Sequence, residues 1–175
     1  MKQSRAYDIA FVGLKPGIHE YTYHIDDKFF ETFEKPEFID SLIEVKLNFD
    51  KKQGIFLLKF TINGKVSIPC DRCGDDFDLT LWDEFELVVK QIDDELVAQK
   101  SEQDAEVAYI GRSESILDVS PWIYEFIVLS VPIQHIHPDD KEGNSTCNPA
   151  ALSYLTNQIP SNSHTDWDEL KKKLN

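Results

Sequence analysis

The order of periodicities along the chain predicts an α+β fold: a mainly antiparallel sheet, one buried helix and short C-terminal helices. Three observations carry this. Apolar residues alternate with polar ones at period two across much of residues 41–89. A run from Ser120, apolar on almost every side, is bracketed by Pro121 and Pro132. The residues after it are polar and support only short helical patterns. Strands grouped ahead of helices give the α+β class. The long strand through Asp83 can bend there, so a partly closed barrel is the alternative to an open sheet.

Taken in order, Tyr7, Ile9 and Phe11 share one parity, and Gly13-Leu14-Lys15-Pro16-Gly17 supplies turn residues. Tyr21, Tyr23 and Ile25 then resume the alternation, which predicts an N-terminal antiparallel hairpin. Asp26 and Asp27 can cap a helical turn from Lys28 that carries Phe29, Phe30 and Phe33 and stops at Pro36. Ile43, Val45, Leu47 and Phe49 oppose Glu44, Lys46 and Asn48, as in a half-buried strand. After a turn at residues 51–54, residues 55–62 read as a second strand, Asn63-Gly64 as a hairpin turn, and residues 65–69 as a third strand. Phe77, Leu79, Leu81, Phe85, Leu87 and Val89 share one parity and make the fourth. The residues between Cys70 and Cys73 therefore sit at a hairpin tip.

Residues 91–114 are polar and acidic, a solvated connection interrupted by a short strand at 107–110. Ser120 then caps a helix with Pro121 in its first turn, and its all-round apolar character predicts burial against the sheet. Asn148-Pro149 can start a further helix through Ala150, Leu152 and Leu155. Residues 1–160 are expected to form a single domain, followed at 161–175 by a flexible spacer and a tail helix. Trp167, Leu170 and Leu174 fall on one side of that helix, and Lys171, Lys172 and Lys173 are the one basic cluster of the chain.

The chain has 175 residues, with 18 basic against 32 acidic side chains and a net charge of -14. Such a field repels phosphate backbones and anionic membranes and suits a basic protein partner. A local basic patch is the route by which RNA contact would survive. The first ten residues lack the apolar core of a signal peptide, and no stretch approaches the roughly 20 apolar residues of a membrane span. A cytoplasmic location is expected. Three cysteines without an export signal point to reduced thiols or metal ligands rather than to disulfides.

Cys70-Asp71-Arg72-Cys73 followed by Gly74 has the spacing of a knuckle that presents two sulfurs to one zinc ion. The second ligand pair has to come from His135, His137 and Cys147, and the set taken here is Cys70, Cys73, His137 and Cys147. The competing reading is two semi-buried thiols packed at a turn, with Cys147 a small buried residue and the histidines lining a polar edge. A redox C-x-x-C normally opens a helix, whereas this one lies between strands. Arg72 is either a bidentate clamp for phosphate or carboxylate or a solvated loop arginine. Trp82 faces away from Leu79 and Leu81, as a docking residue or as cover for a second layer. With Trp167, Lys171 and Lys172, these two residues are the candidate partner contacts. Phosphate-loop, nucleophile-elbow, metalloprotease and dinucleotide motifs do not occur. The acidic pairs Asp93-Asp94 and Asp139-Asp140 lie in polar loops where both groups stay ionised, so a non-enzymatic protein is expected.

Pro69-Cys70-Asp71-Arg72-Cys73, the helix Ile116 to Val131 with its Val131-Pro132-Ile133 exit, the region from His137 to Cys147 and the closing Trp167-Asp168-Glu169-Leu170-Lys171-Lys172 together resemble the YceD family of large ribosomal RNA subunit accumulation proteins. The resemblance spans most of residues 40–175, and residues 7–30 are similar to relatives from the Bacteroidetes group. It implies a ribosome-biogenesis factor that supports 23S ribosomal RNA accumulation during large-subunit assembly, with metal and nucleic acid as candidate ligands. Read with the charge, it suggests that the protein holds a basic ribosomal protein or assembly intermediate; the alternative is a zinc-knuckle protein that contacts ribosomal RNA directly. His164-Thr165-Asp166 departs from the Asp-Pro and basic residue that many relatives carry before the closing motif.

Overall fold

In β3 (Ile39–Lys52) the alternation of the sequence becomes geometry: Val45, Leu47 and Phe49 are completely buried, while Glu44, Lys46 and Asn48 lie on the outer face. This strand belongs to a computed structural model that describes residues 5–98 and 107–158. The chain divides into two compact units. The first takes the residues up to Ile68 together with Asp78–Ile133, and the second takes Pro69–Phe77 together with the residues from Gln134 onward. The expected spacer and tail helix at 161–175 lie outside the described residues.

The first unit holds a five-stranded sheet in the order β2-β3-β4-β5-β6, formed by Gly17–Ile25, β3, Ile55–Pro69, Asp76–Ile92 and Val107–Gly111. β2, β3 and β4 pair antiparallel. β6 lies parallel to β5, with Val88 opposite Val107 and Ile92 opposite Gly111, which the long connection between them permits. The sheet is open, with β2 and β6 as its edges, so the barrel alternative does not apply. Phe56, Leu58, Phe60 and Ile62 of β4 and Leu81 and Val89 of β5 complete the buried face.

One expected turn is not a turn. Asn63 and Gly64 sit inside one continuous β4, opposite Glu44 and Ile43, so the separate third strand does not exist. The physical reason lies in the neighbouring strand. β3 begins earlier than its alternation suggests, and its register shifts between Ile39 and Leu42. That irregularity brings its backbone against Gly64, where a Cβ would lie 2.6 Å from Ile43 Cα and closer still to the Leu42 carbonyl oxygen. The glycine marks a close backbone approach rather than a hairpin.

The N-terminal hairpin is also absent. β1 is only Asp8–Ile9, and it pairs with β7 (Leu117–Asp118) instead of with β2. Phe11–Gly13 is a 3-10 turn whose carbonyl ends are taken by the Lys51 ammonium, 2.6 Å from Phe11 O and 2.8 Å from Leu14 O. Burial of Ile9 and Phe11 anchors this segment without strand pairing.

α1 (Asp27–Phe30) is capped as expected, with Asp26 Oδ1 accepting from Lys28 N at 3.1 Å. Its Asp27 carboxylate also accepts from Ser41 N at 2.8 Å and Asp40 N at 3.1 Å, which fixes the entry to β3, where Asp40 has a left-handed φ of 52°. α2 (Ser120–Ser130) starts from an Asp118 carboxylate that accepts from Ser120 N and Oγ. Its burial is a stripe of Ile123, Phe126 and Ile127 rather than the whole circumference, because Val128 and Leu129 are exposed. Phe126 stacks on Phe85 at 4.5 Å and meets Phe60 edge-on, which ties the helix to β4 and β5.

Gly64→Ala is expected to lower stability by about 1–3 kcal/mol through the crowding against β3, read as a lower urea midpoint with unchanged slope. The backbone N–H of Ser41, then that of Asp40, holds the Asp27 carboxyl below its ordinary value. A depressed folded-state pKa gives stability that is fully present above the unfolded value and lost as pH falls through the folded one. Asp27→Asn should therefore melt below the parent protein at neutral pH, and the gap should close in acid below the ordinary carboxylate range.

Candidate metal centre

Within the second unit the described residues bury only two side chains, Cys70 and Cys147. Around them the chain makes a dense set of short-range bonds. Gly74, at φ 79°, lets the knuckle turn, with Gly74 N donating to Cys70 O at 2.8 Å and Cys70 N to Asp75 O at 3.0 Å. The loop between His137 and Cys147 folds on Asp140, whose Oδ1 accepts from Asn144 N at 2.7 Å and Glu142 N at 3.0 Å. Thr146 Oγ1 donates to Pro138 O at 2.7 Å, closing the loop so that its two ends meet. Asn148 caps α3 (Pro149–Gln158) through Ala150 N and donates from Nδ2 to Asp75 Oδ2 at 3.0 Å.

These bonds bring Cys70, Cys73, His137 and Cys147 together, with their four donor atoms all within 4.8 Å of one another. Cys70 Sγ is 3.8 Å from Cys147 Sγ, and His137 Nδ1 is 3.5 Å from Cys73 Sγ and 3.9 Å from Cys147 Sγ. Zinc–sulfur and zinc–nitrogen bonds of about 2.3 and 2.0–2.1 Å imply tetrahedral edges of about 3.8 Å between sulfurs and about 3.6 Å between sulfur and nitrogen. These three separations lie near those edges, and the donor set can hold a metal such as zinc.

Electrostatics point the same way. Burial pushes the Cys70 thiol up, but the backbone N–H groups of His137, Arg72 and Cys73 outweigh it and bring the thiol down to about 6. The first two lie 3.4 Å from the sulfur. At Cys73 the backbone N–H groups of Asn148 and Asp75 favour the thiolate, yet burial and the sulfurs of Cys70 and Cys147 together leave the thiol raised. Crowded thiols that resist ionising together are relieved by a cation among them.

The other sequence candidates fall elsewhere. His135 is not a donor to the cluster: its Nδ1 is 2.9 Å from Pro69 O, and its backbone N donates to Asp71 Oδ2 at 2.8 Å. Asp71 N in turn donates to His135 O at 2.9 Å, so this pair latches the two segments. Arg72 has partners in the loop before Cys147. Its Nη1 donates to Ser145 Oγ at 3.1 Å and lies 4.0 Å from Cys147 Sγ. Trp82 is on the outer face of the sheet, 67% exposed. Trp167, Lys171 and Lys172 lie outside the described residues. Sequence reasoning missed the structural work of Asp71, Asp140 and Asn148; only the Asn-Pro pair and the Gly143-Asn144 turn residues signalled it.

A family profile described as large ribosomal RNA subunit accumulation protein YceD matches residues 58–172. The chain belongs to the YceD family. The match takes in α2 and all four side chains of the cluster. No curated protein and no solved structure matches the chain. YceD membership gives it a role in accumulation of the large-subunit ribosomal RNA, and the family's description names no reaction. Among the described residues no helix is long and apolar enough to cross a membrane.

Zinc added to metal-stripped protein should raise its melting temperature, by about 2.7 kcal/mol of stability at a hundredfold excess over Kd. Cys147→Ser should abolish the rise. His135→Ala should retain it while starting from a lower baseline.

Proposed function

We propose that the protein is a cytoplasmic, non-enzymatic ribosome-biogenesis factor that supports 23S ribosomal RNA accumulation by holding a basic large-subunit protein or assembly intermediate. Zinc on Cys70, Cys73, His137 and Cys147 serves as a structural clamp in this reading. Its main support is the charge of the second unit. The described residues there carry six carboxylates, Asp71, Asp75, Asp76, Asp139, Asp140 and Glu142, against Arg72 and Lys141. Three thiolates around a divalent cation add one further negative charge. Arg72, the side chain on which direct RNA contact would depend, is engaged with Ser145 beside a sulfur. A net charge of -14 extends the same field over the whole chain.

Such a surface favours Lys- and Arg-rich partners and repels phosphates, with an attraction that weakens as salt rises. It can keep a basic protein from premature contact with RNA and release it where RNA competes more strongly. The structural role of zinc is supported by burial: a small unit whose described residues bury only two cysteine side chains shows no apolar core there that would hold it shut.

The test is equilibrium binding of the purified, zinc-loaded protein to basic proteins of the large subunit and to 23S RNA fragments at physiological salt. Binding to one or more of the proteins, weakened at least tenfold by raising salt to about 0.5 M, and unchanged by Arg72→Glu, is expected. Tight binding to the RNA fragments alone, lost in Arg72→Glu, would establish the knuckle as an RNA contact and overturn the holding role.

A further inference from the structure

A groove of about 660 Å³ in the first unit is lined by outer-face residues of the sheet together with Leu58, Leu87 and Phe126 of the inner-face set. On its outer-face side Ile18, Leu57 and Val88 give it apolar walls, and Asp50 and Glu86 place carboxylates along it. The register explains the alternation. Ile18 of β2 lies opposite Asp50 of β3, which lies opposite Leu57 of β4, so one row across three strands reads apolar, acidic, apolar. In the next row Glu20 faces Asn48, and Asn48 faces Lys59, whose ammonium is held by Glu84 at 2.9 Å. Lys52 pairs with Asp50 at 3.4 Å. Glu20, Asp50, Glu84 and Glu86 still outnumber the two lysines. Ile18 is 68% exposed, a large apolar side chain left uncovered beside the open β2 edge.

We propose that this groove is the seat of the basic partner: an amphipathic protein segment that sets aliphatic side chains on Leu57 and Val88 and lysine or arginine side chains on Asp50 and Glu86. The inference rests on the holding role above and locates it. Charge selects this occupant. A second copy of the chain brings another net charge of -14, and nucleic acid or an anionic membrane meets the same carboxylates. The volume is that of a pocket for several side chains, and apolar anchors in such a pocket are where binding energy concentrates.

The experiment titrates full-length protein with Lys/Arg-rich proteins stripped from large ribosomal subunits and purified singly, using the parent chain, Leu57→Lys, Glu86→Lys and the distant outer-face control Asp78→Lys. Unchanged melting temperature and zinc content show that the variants are folded. At least tenfold weaker binding for both groove variants, with Asp78→Lys within twofold of the parent, is expected. Equal binding by all four would move the seat elsewhere and leave the holding role intact, whereas no binding by the parent overturns both. If Lys171→Glu, Lys172→Glu and Lys173→Glu together strengthen binding, and a synthetic peptide of residues 164–175 competes, the groove houses the chain's own tail and the assignment to a partner fails.

Discussion

Two buried sulfurs hold the second unit. Its described residues contain no fully buried aliphatic or aromatic side chain, only Cys70 and Cys147, and those stand 3.8 Å apart. Apolar burial at roughly 25 cal/mol per Å² cannot stabilise a region with so little to bury. What remains is a lattice of turns and polar latches that pre-places four donors within 4.8 Å of one another. The knuckle turn presents Cys70 and Cys73, the Asp140 loop sets His137 and Cys147 at its two ends, and the latch through Asp71 and His135 aligns the two segments. A metal ion placed there would join segments distant in sequence and supply the cohesion that the apolar side chains do not.

Charge links this arrangement to the biology of the family. A factor for ribosomal RNA accumulation can act on the RNA or on the proteins that coat it. The six carboxylates among the second unit's described residues, the excess negative charge that a three-thiolate centre would carry and the engagement of Arg72 with Ser145 all favour the protein side of that choice. The first unit offers what a small metal unit lacks, a broad rigid sheet with an uncovered outer face. Its inner face is closed by Phe126 against Phe60 and Phe85, so the outer face is supported by a packed layer rather than by loops.

The parts legible in the sequence are those set by local periodicity and local turn chemistry. The alternation from Ile43 to Phe49, the single parity from Phe77 to Val89 and the Asp26 cap all lie where expected. The four side chains taken as a possible donor set do cluster, within 4.8 Å at their donor atoms. What escaped was decided by partners remote in sequence. Gly64 reads as a turn residue until β3 is brought alongside, and residues 8–9 read as half of a hairpin until Leu117 offers a different neighbour. The parallel pairing of β6 has the same origin. Of the two histidines, Pro69 O and Asp71 hold the His135 ring, while the sulfurs of Cys73 and Cys147 lie beside that of His137.

X-ray absorption at the zinc edge of the purified full-length protein addresses the central claim most directly, since it reads the donor atoms and their distances without disturbing the fold. Three sulfurs at about 2.3 Å and one nitrogen at about 2.0–2.1 Å are expected, shifting to two sulfurs in Cys147→Ser if any zinc is retained. A first shell of oxygen and nitrogen alone, or protein that stays folded and binds no zinc under saturating metal, would contradict the clamp and leave the cysteines as packed thiols.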